Sequence, residues 1–240
     1  MQKKIALVTG AASGMGRIYA RTLVEQGFHV VAIDVNASGL RDTAGGSDDF
    51  TPITCNIADH AEVAAIVESI ELDVGVIESA VHCAAIMPGR AAINEDMTSL
   101  RRLMDINYFG TLAIIDTVVR RMAERNRGRV VVFGSVAGDA MVPNMASYCA
   151  TKAALSSFTT GLRYQAQTHC PQMTIAEAIL PLVDTDMTAG RGTAKISPDQ
   201  AAAEIIAGIV KGKNRIWIGK ARLLPLLNRI SPGFVAKMLR

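Results

Sequence analysis

Apolar residues come along this chain in short, nearly unbroken runs, and between the runs they recur at helical spacing. Ile5-Ala6-Leu7-Val8, Val30-Val31-Ala32-Ile33 and Val130-Val131-Val132-Phe133 are such runs. A strand that is apolar at successive positions has no face to give to water, so it belongs inside a parallel sheet covered on both sides. The pattern predicts strands over 4–9, 29–34, 50–55, 78–83, 129–135, 173–180 and 215–218. It predicts helices over 16–26, 59–72, 98–125, 147–168 and 198–211. Strands alternating with helices give an α/β fold: a doubly wound parallel sheet of about seven strands, whose ligands sit beyond the strands' carboxyl ends. No repeat, low-complexity tract or linker divides the 240 residues, so one domain is expected, with 221–240 as its tail.

Composition sharpens this only in places. Half the residues are apolar and 20 % are charged, as in a globule with a sizeable core. The net charge of +3 hides an asymmetry. No acidic residue follows Glu204, but Lys211, Lys213, Arg215, Lys220, Arg222, Arg229, Lys237 and Arg240 do. The remainder is net acidic, which argues against a uniformly basic nucleic-acid binder. Cys55, Cys83, Cys149 and Cys170 have no metal-ligand spacing; Cys55 and Cys83 close apolar runs and are expected as buried thiols. Lys3-Lys4 before four apolar residues is too short for a secretory signal, and no run is long enough to span a membrane. A cytoplasmic protein is expected.

The first strand leads into Thr9-Gly10-Ala11-Ala12-Ser13-Gly14-Met15-Gly16. Glycines there permit a tight turn, close approach of a pyrophosphate and helix–strand packing, and the helix N-terminus offers free N–H groups to phosphate. Asp34, about twenty residues on at the end of the second strand, can accept from both hydroxyls of an adenosine ribose and would repel a 2′-phosphate. Val35 and Asn36 supply no cation for that phosphate; Arg17 stands on the glycine side. NAD is therefore favoured over NADP.

Tyr148 and Lys152 are four residues apart, on one helical face, and Ser135 lies upstream at a strand end. A phenol is a poor base at neutral pH because its ordinary pKa is about 10. A neighbouring ammonium and the positive ring of an oxidised nicotinamide would favour the phenolate. Tyr148 could then exchange a proton with a substrate hydroxyl that Ser135 holds in place.

With these residues in place the chain resembles the short-chain dehydrogenase/reductase family over essentially its whole length. The resemblance rests on the Thr9–Gly16 loop, Ser135-Val136-Ala137-Gly138, Tyr148-Cys149-Ala150-Thr151-Lys152, and Asn107 within Asp105-Ile106-Asn107-Tyr108-Phe109-Gly110. It implies a Rossmann-type fold and a catalytic tetrad of Asn107, Ser135, Tyr148 and Lys152. Asn107 would hold a water in a proton relay, and Lys152 would also bind the nicotinamide ribose. The implied cofactor contacts are Gly10, Ser13, Gly14, Met15, Gly16 and Asp34, then Asn56 and Ile57 near adenine. Cys83, Ala84, Ala85, Pro181, Val183 and Thr185 would complete them around the nicotinamide half.

Three positions depart from the family pattern. His82-Cys83-Ala84-Ala85 replaces Asn-Asn-Ala-Gly, removing side-chain bonds that brace the sheet, with His82 a structural replacement. Asn56 replaces an aspartate, though its amide oxygen can still accept from adenine. Leu182 replaces a glycine after Pro181 and puts bulk beside the nicotinamide or substrate.

The cleft segments supply Ile86, Met87, Ala140 and Met141, then Val142, Met145, Leu182 and Met187. Methionine suits irregular apolar ligands, although these side chains could equally pack the loops. No arginine lies between Ser135 and Tyr148, so an apolar secondary alcohol or ketone (steroid, long-chain or aromatic) is favoured. Arg90 and Arg191 flank the cleft. Residues 186–197 are expected as a lid that orders on binding. The alternatives are an NADPH-dependent 3-oxoacyl reductase and a non-catalytic nucleotide-sensing protein. The resemblance implies a homodimer or homotetramer pairing the helices near 98–125 and 147–168. The basic, apolar tail could lie on an anionic membrane surface, or pack on its own domain or a neighbouring subunit.

Overall fold

Along the first strand Ile5 and Leu7 pack into one hydrophobic layer and Ala6 and Val8 into another, as the two-residue period of a strand requires. Both layers are buried, and this two-sided burial organises the molecule. The computed structural model describes residues 3–87, 92–142, 144–192 and 194–238. The strands are β1 (Lys4–Thr9), β2 (Phe28–Asp34), β3 (Phe50–Thr54), β4 (Ile77–His82), β5 (Gly128–Ser135), β6 (Met173–Leu180) and β7 (Arg215–Trp217). They pair in parallel in the order β3-β2-β1-β4-β5-β6-β7, so the expected doubly wound α/β sheet is present.

One layer holds α1 (Gly14–Glu25), α2 (Ala37–Ala44) and α7 (Pro198–Val210) against residues such as Val8, Ala32 and Ala178. The other holds α3 (His60–Ser69), α5 (Thr111–Glu124) and α6 (Ala146–His169) against Leu7, Val31 and Val130. The winding direction reverses between β1 and β4. Register aligns Thr9 with His82 there, and Ser135 with Leu180 farther along. Residues at the carboxyl ends of four strands thus face one crevice.

Several elements differ from the sequence pattern; the helix expected over 59–72, for one, is α3 followed by a π-type turn (Ile70–Val74). Helix α2 was not predicted, because its eight mostly polar residues give only about two turns of pattern; the Asn36 side chain starts it by accepting from Gly39 N–H at 3.0 Å. The pattern over 98–125 predicts one helix. The structure divides it into α4 (Met97–Met104), a wider π-type turn (Asp105–Gly110) and α5. In the tail Pro225 and Pro232 open two short helices, α8 (Leu224–Ile230) and α9 (Pro232–Met238), where proline's missing N–H costs nothing. Among the described residues no helix is long and apolar enough to cross a membrane.

Candidate active site

The glycine loop folds as its spacing predicts. Gly10 has φ +69°, and a Cβ on it would meet Ala84 N at 2.7 Å; one on Gly16 would meet Gly10 O at 2.0 Å. The loop therefore closes on itself and on the segment after β4 only without side chains. Opposite it, the Thr185 methyl lies 3.4 Å from where a Gly14 Cβ would stand, so the crevice runs between α1 and the segment after β6. Exposed Ser13 is the N-cap of α1 but makes no side-chain capping bond, and Met15 is buried beneath the loop. A helix N-terminus left open beside backbone without Cβ atoms fits a dinucleotide pyrophosphate.

Asp34 is held by two backbone donors: Ala12 N–H to Oδ2 at 3.1 Å and Asn36 N–H to Oδ1 at 3.0 Å. Each oxygen keeps a lone pair for a ribose hydroxyl. Arg17 does not reach toward this carboxylate. Its guanidinium donates to Ala12 O and to Thr43 Oγ1, tying α1 to α2. Asn56 Oδ1 already accepts from Ala58 N–H at 3.1 Å, and buried Ile57 packs against Gly110.

Tyr148 and Lys152 are both buried on the first turns of α6. The Tyr148 hydroxyl stands beside Ser135, whose polarity favours the phenolate and whose Oγ accepts from Ala137 N–H at 3.1 Å, capping the turn after β5. Lys152 Nζ lies 5.8 Å from the Tyr148 ring centre and donates to Phe133 O at 3.0 Å. Burial lowers the lysine to about 8, with the Cys83 thiol and the Glu177 carboxylate opposing. The expected lowering of the phenol is absent from the protein alone. Burial pushes Tyr148 up to about 12, with the Ser135 hydroxyl opposing. Desolvation of the phenolate outweighs one neutral donor.

Asn107 sits fully buried in the π-type turn. Its Oδ1 accepts from Ile86 N–H at 2.7 Å, and its Nδ2 donates to Ile86 O at 2.8 Å and Thr151 Oγ1 at 3.2 Å. The side chain thus pins the segment after β4 to the residue preceding Lys152.

His82 accounts for the missing asparagine pair. Thr111 Oγ1 donates to Asn107 O at 2.8 Å, so it must accept from His82 Nε2 at 2.8 Å. Nε2 therefore carries the proton, and Nδ1 accepts from the Thr9 hydroxyl at 2.9 Å; Ala84 N–H donates to Thr9 Oγ1 at 3.4 Å. One directed chain joins β1, β4 and the Asn107 turn. Burial, then the Lys152 charge, lowers His82 to about 3. A base depressed in the fold binds its proton only when unfolded, so its contribution is full above pH 6.5 and falls as pH drops toward 3. We expect the wild type to lose about 2 kcal/mol more stability than His82→Asn between pH 7 and pH 5. Urea unfolding at both pH values measures it, and equal losses would refute a neutral imidazole held at this position.

On the substrate side, Met87, Val142 and Met145 pack with Ala137 and Cys149 around Tyr148. Other expected cleft residues lie elsewhere. Ala140 is buried under the tail with Leu224 and Val235. Met141 and Met187 are 61 % and 44 % exposed. Leu182 lies half-buried, its Cδ1 2.7 Å from the position of a Gly192 Cβ, so its bulk fills the base of the following loop. That loop is not loose at its start: Val183 pairs with Ile196, and Thr185 and Thr188 cap the short turn Asp186–Thr188. Half-buried Pro181 precedes it. Cys83 and Ala85 are half-buried as residues beside the crevice, while the Cys83 thiol itself lies inside, where burial pushes its pKa up, as expected. Arg90 lies outside the described residues, and Arg191 N–H donates to Thr188 O.

Sequence reading did not single out Glu177, buried in the middle of β6. Its Oε2 accepts from Ser156 Oγ at 3.1 Å and Arg215 Nε at 3.2 Å, and Arg215 Nη2 holds both oxygens of Asp139 at 2.7 and 2.8 Å. Asp139 follows the turn that Ser135 caps. A carboxylate inside an apolar central strand was the available signal, since it demands a buried partner.

The family profile described as short chain dehydrogenase matches residues 4–195. A fatty acyl-CoA reductase of Acinetobacter baylyi is 28 % identical, over 95 % of this chain and 80 % of its own. A 3-oxoacyl-(acyl-carrier-protein) reductase of Salmonella typhimurium is 28 % identical over 89 % and 86 %. A short chain dehydrogenase from Burkholderia cenocepacia, solved in complex with NADP, shares the fold with a TM-score of 0.87 at 23 % identity, covering 99 % and 98 %. With the profile spanning most of its length, this chain belongs to the short-chain dehydrogenase family of oxidoreductases.

Proposed function

We propose that this protein is an NAD-dependent oxidoreductase that interconverts an apolar secondary alcohol and its ketone. The observation that carries the reading is the buried Tyr148 hydroxyl, set beside Ser135 and flanked by the Lys152 ammonium at the carboxyl ends of the strands. A bound nicotinamide dinucleotide supplies the hydride acceptor or donor. Tyr148 takes the proton from the substrate hydroxyl in oxidation and returns it in reduction. Ser135 donates to the substrate oxygen and holds it at the phenol. Lys152 binds the ribose hydroxyls and keeps a positive charge beside the ring. Asn107 holds the Ile86 segment and the helix turn beside Lys152, where the implied water relay would run.

The dinucleotide would lie from Asp34, Asn56 and Ile57 across Gly10–Gly16 to Ala84, Ala85, Pro181, Val183 and Thr185. Asp34 supports NAD over NADP: its carboxylate faces the ribose end, and Arg17 is committed to α2. Replacing Asp34 by Ser should weaken NADH binding about 10- to 100-fold, the worth of a charged hydrogen bond, and leave NADPH binding unchanged or improved. Fluorescence titration with both reduced nucleotides measures this, and tighter wild-type binding of NADPH would overturn the NAD assignment. The methionines packed beside Tyr148 favour an apolar substrate, and the similarity to a fatty acyl-CoA reductase supports it. The alternative, NADPH-dependent 3-oxoacyl reduction, has the Salmonella relative on its side and Asp34 against it.

The test is a panel of steroid, fatty and aromatic carbinols followed by NADH absorbance. Turnover of none of them, with firm dinucleotide binding, would favour a nucleotide-sensing protein instead. In the same proposal the enzyme is cytoplasmic and homo-oligomeric, pairing the α4–α5 and α6 helices.

A further inference from the structure

The tail docks on its own domain with one face only. Leu224 and Val235 are buried against Ala140, backed by Val136, Trp217 and Leu227, and Asn228 Nδ2 donates to Asp139 O at 3.2 Å. The opposite face is bare. Leu223, Leu226, Ile230 and Phe234 are 60 %, 61 %, 72 % and 57 % exposed. The spacing of the first three puts them on one helical face, with Arg222 and Arg229 along its flank. Other strongly exposed apolar side chains, such as Ile93 and Val210, stand on separate elements.

Charge decides what this face fits. No acidic residue follows Glu204, whereas Lys220, Arg222, Arg229 and Lys237 all stand exposed there. Arg222 donates to Glu204 at 2.9 Å and to Trp217 O, which leaves Lys220, Arg229 and Lys237 without an acidic partner among the described residues. A second copy meeting this face across a two-fold axis would bring the same cations together. An anionic lipid surface instead takes apolar side chains below its headgroups and pairs lysine and arginine with its phosphates.

We propose that the α8–α9 face docks this protein peripherally on anionic membranes. The docked segment rests on the loop between Ser135 and Tyr148, so the bilayer lies beside the crevice. The docking itself does not depend on the substrate being a lipid.

The test is co-sedimentation of the full chain with vesicles of phosphatidylcholine alone or containing phosphatidylglycerol. Binding is expected only with the anionic lipid, falling steeply as salt is raised. Arg229→Gln with Lys237→Gln should weaken it roughly thirty-fold, from the worth of two cations near such a surface. Leu226→Ser with Ile230→Ser should also weaken it, with turnover of a soluble carbinol unchanged in both. Failure of the wild type to bind, equal binding to neutral vesicles, or variants that bind like the wild type would overturn the proposal. So would a fall in mass by sedimentation equilibrium in the serine variant, which would make this face a subunit contact.

Discussion

Replacing Tyr148 by Phe should lower turnover about 10²- to 10⁴-fold, the range that a positioned acid–base group contributes. Dinucleotide affinity should stay essentially unchanged. The substitution removes a single oxygen and keeps the ring against Ala137, Met87 and Met145. It removes a polar neighbour of Ser135, whose hydroxyl still caps the turn by accepting from Ala137 N–H. The expected structural cost is no more than about 1 kcal/mol, that of one polar contact, and is small beside the kinetic loss. Single-turnover absorbance with saturating nucleotide, together with nucleotide titration, separates the two quantities. Activity near wild type would remove Tyr148 from the mechanism. A matched loss of nucleotide binding would mean that the phenol supports the crevice more than the proton transfer.

Replacing Arg215 by Met should cost about 3 kcal/mol of stability, near the lower end for breaking a buried pair because a third of the Arg215 side chain stays in water. For a chain of this size that is a fall in Tm of roughly 6–12 °C. The loss falls on Glu177, which is buried and would keep the Ser156 hydrogen bond and the Arg163 charge but no ion-pair contact. Burial already raises Glu177 above the usual carboxylate range, although Arg215 opposes it. A carboxyl raised in the fold is least costly when protonated. The deficit of Arg215→Met should therefore be greatest above the Glu177 pKa and shrink as pH falls through it. Adding Glu177→Gln should restore part of the stability, since no carboxylate is then left buried within β6 without its cation, although Asp139 still lacks one. Because Asp139 loses its bidentate partner next to the Ser135 turn, turnover should fall as well. Thermal melts at two pH values measure the effect, and a Tm within about 2 °C of wild type would show that the network does not stabilise the fold.

Much of this fold was legible because a parallel strand buried on both faces must be apolar at successive positions. Lys4–Thr9 and Met173–Leu180 match the predicted spans end to end, and the other strands differ by a residue or so at their ends. Helix α2 escaped notice because it is only eight residues long, and much of what holds it is Thr43 bonded to Arg17 and to Ala11 O, contacts with residues distant in the chain. The π-type turn at Asn107 was equally hidden, since widening a helix leaves the apolar period on either side nearly intact.

The sequence by itself determined the parallel sheet, the glycine turn below a helix N-terminus, and the shared helical face of Tyr148 and Lys152. Each follows from the period or spacing of neighbouring residues. Only the tertiary structure decided that His82 links Thr9 to Thr111, that Arg17 turns toward α2 and away from Asp34, and that Glu177 meets Arg215 and Asp139. It also decided which methionines close around the phenol and which face water. Those contacts join residues far apart in the chain, and their partners are chosen by packing and desolvation, which local pattern does not encode.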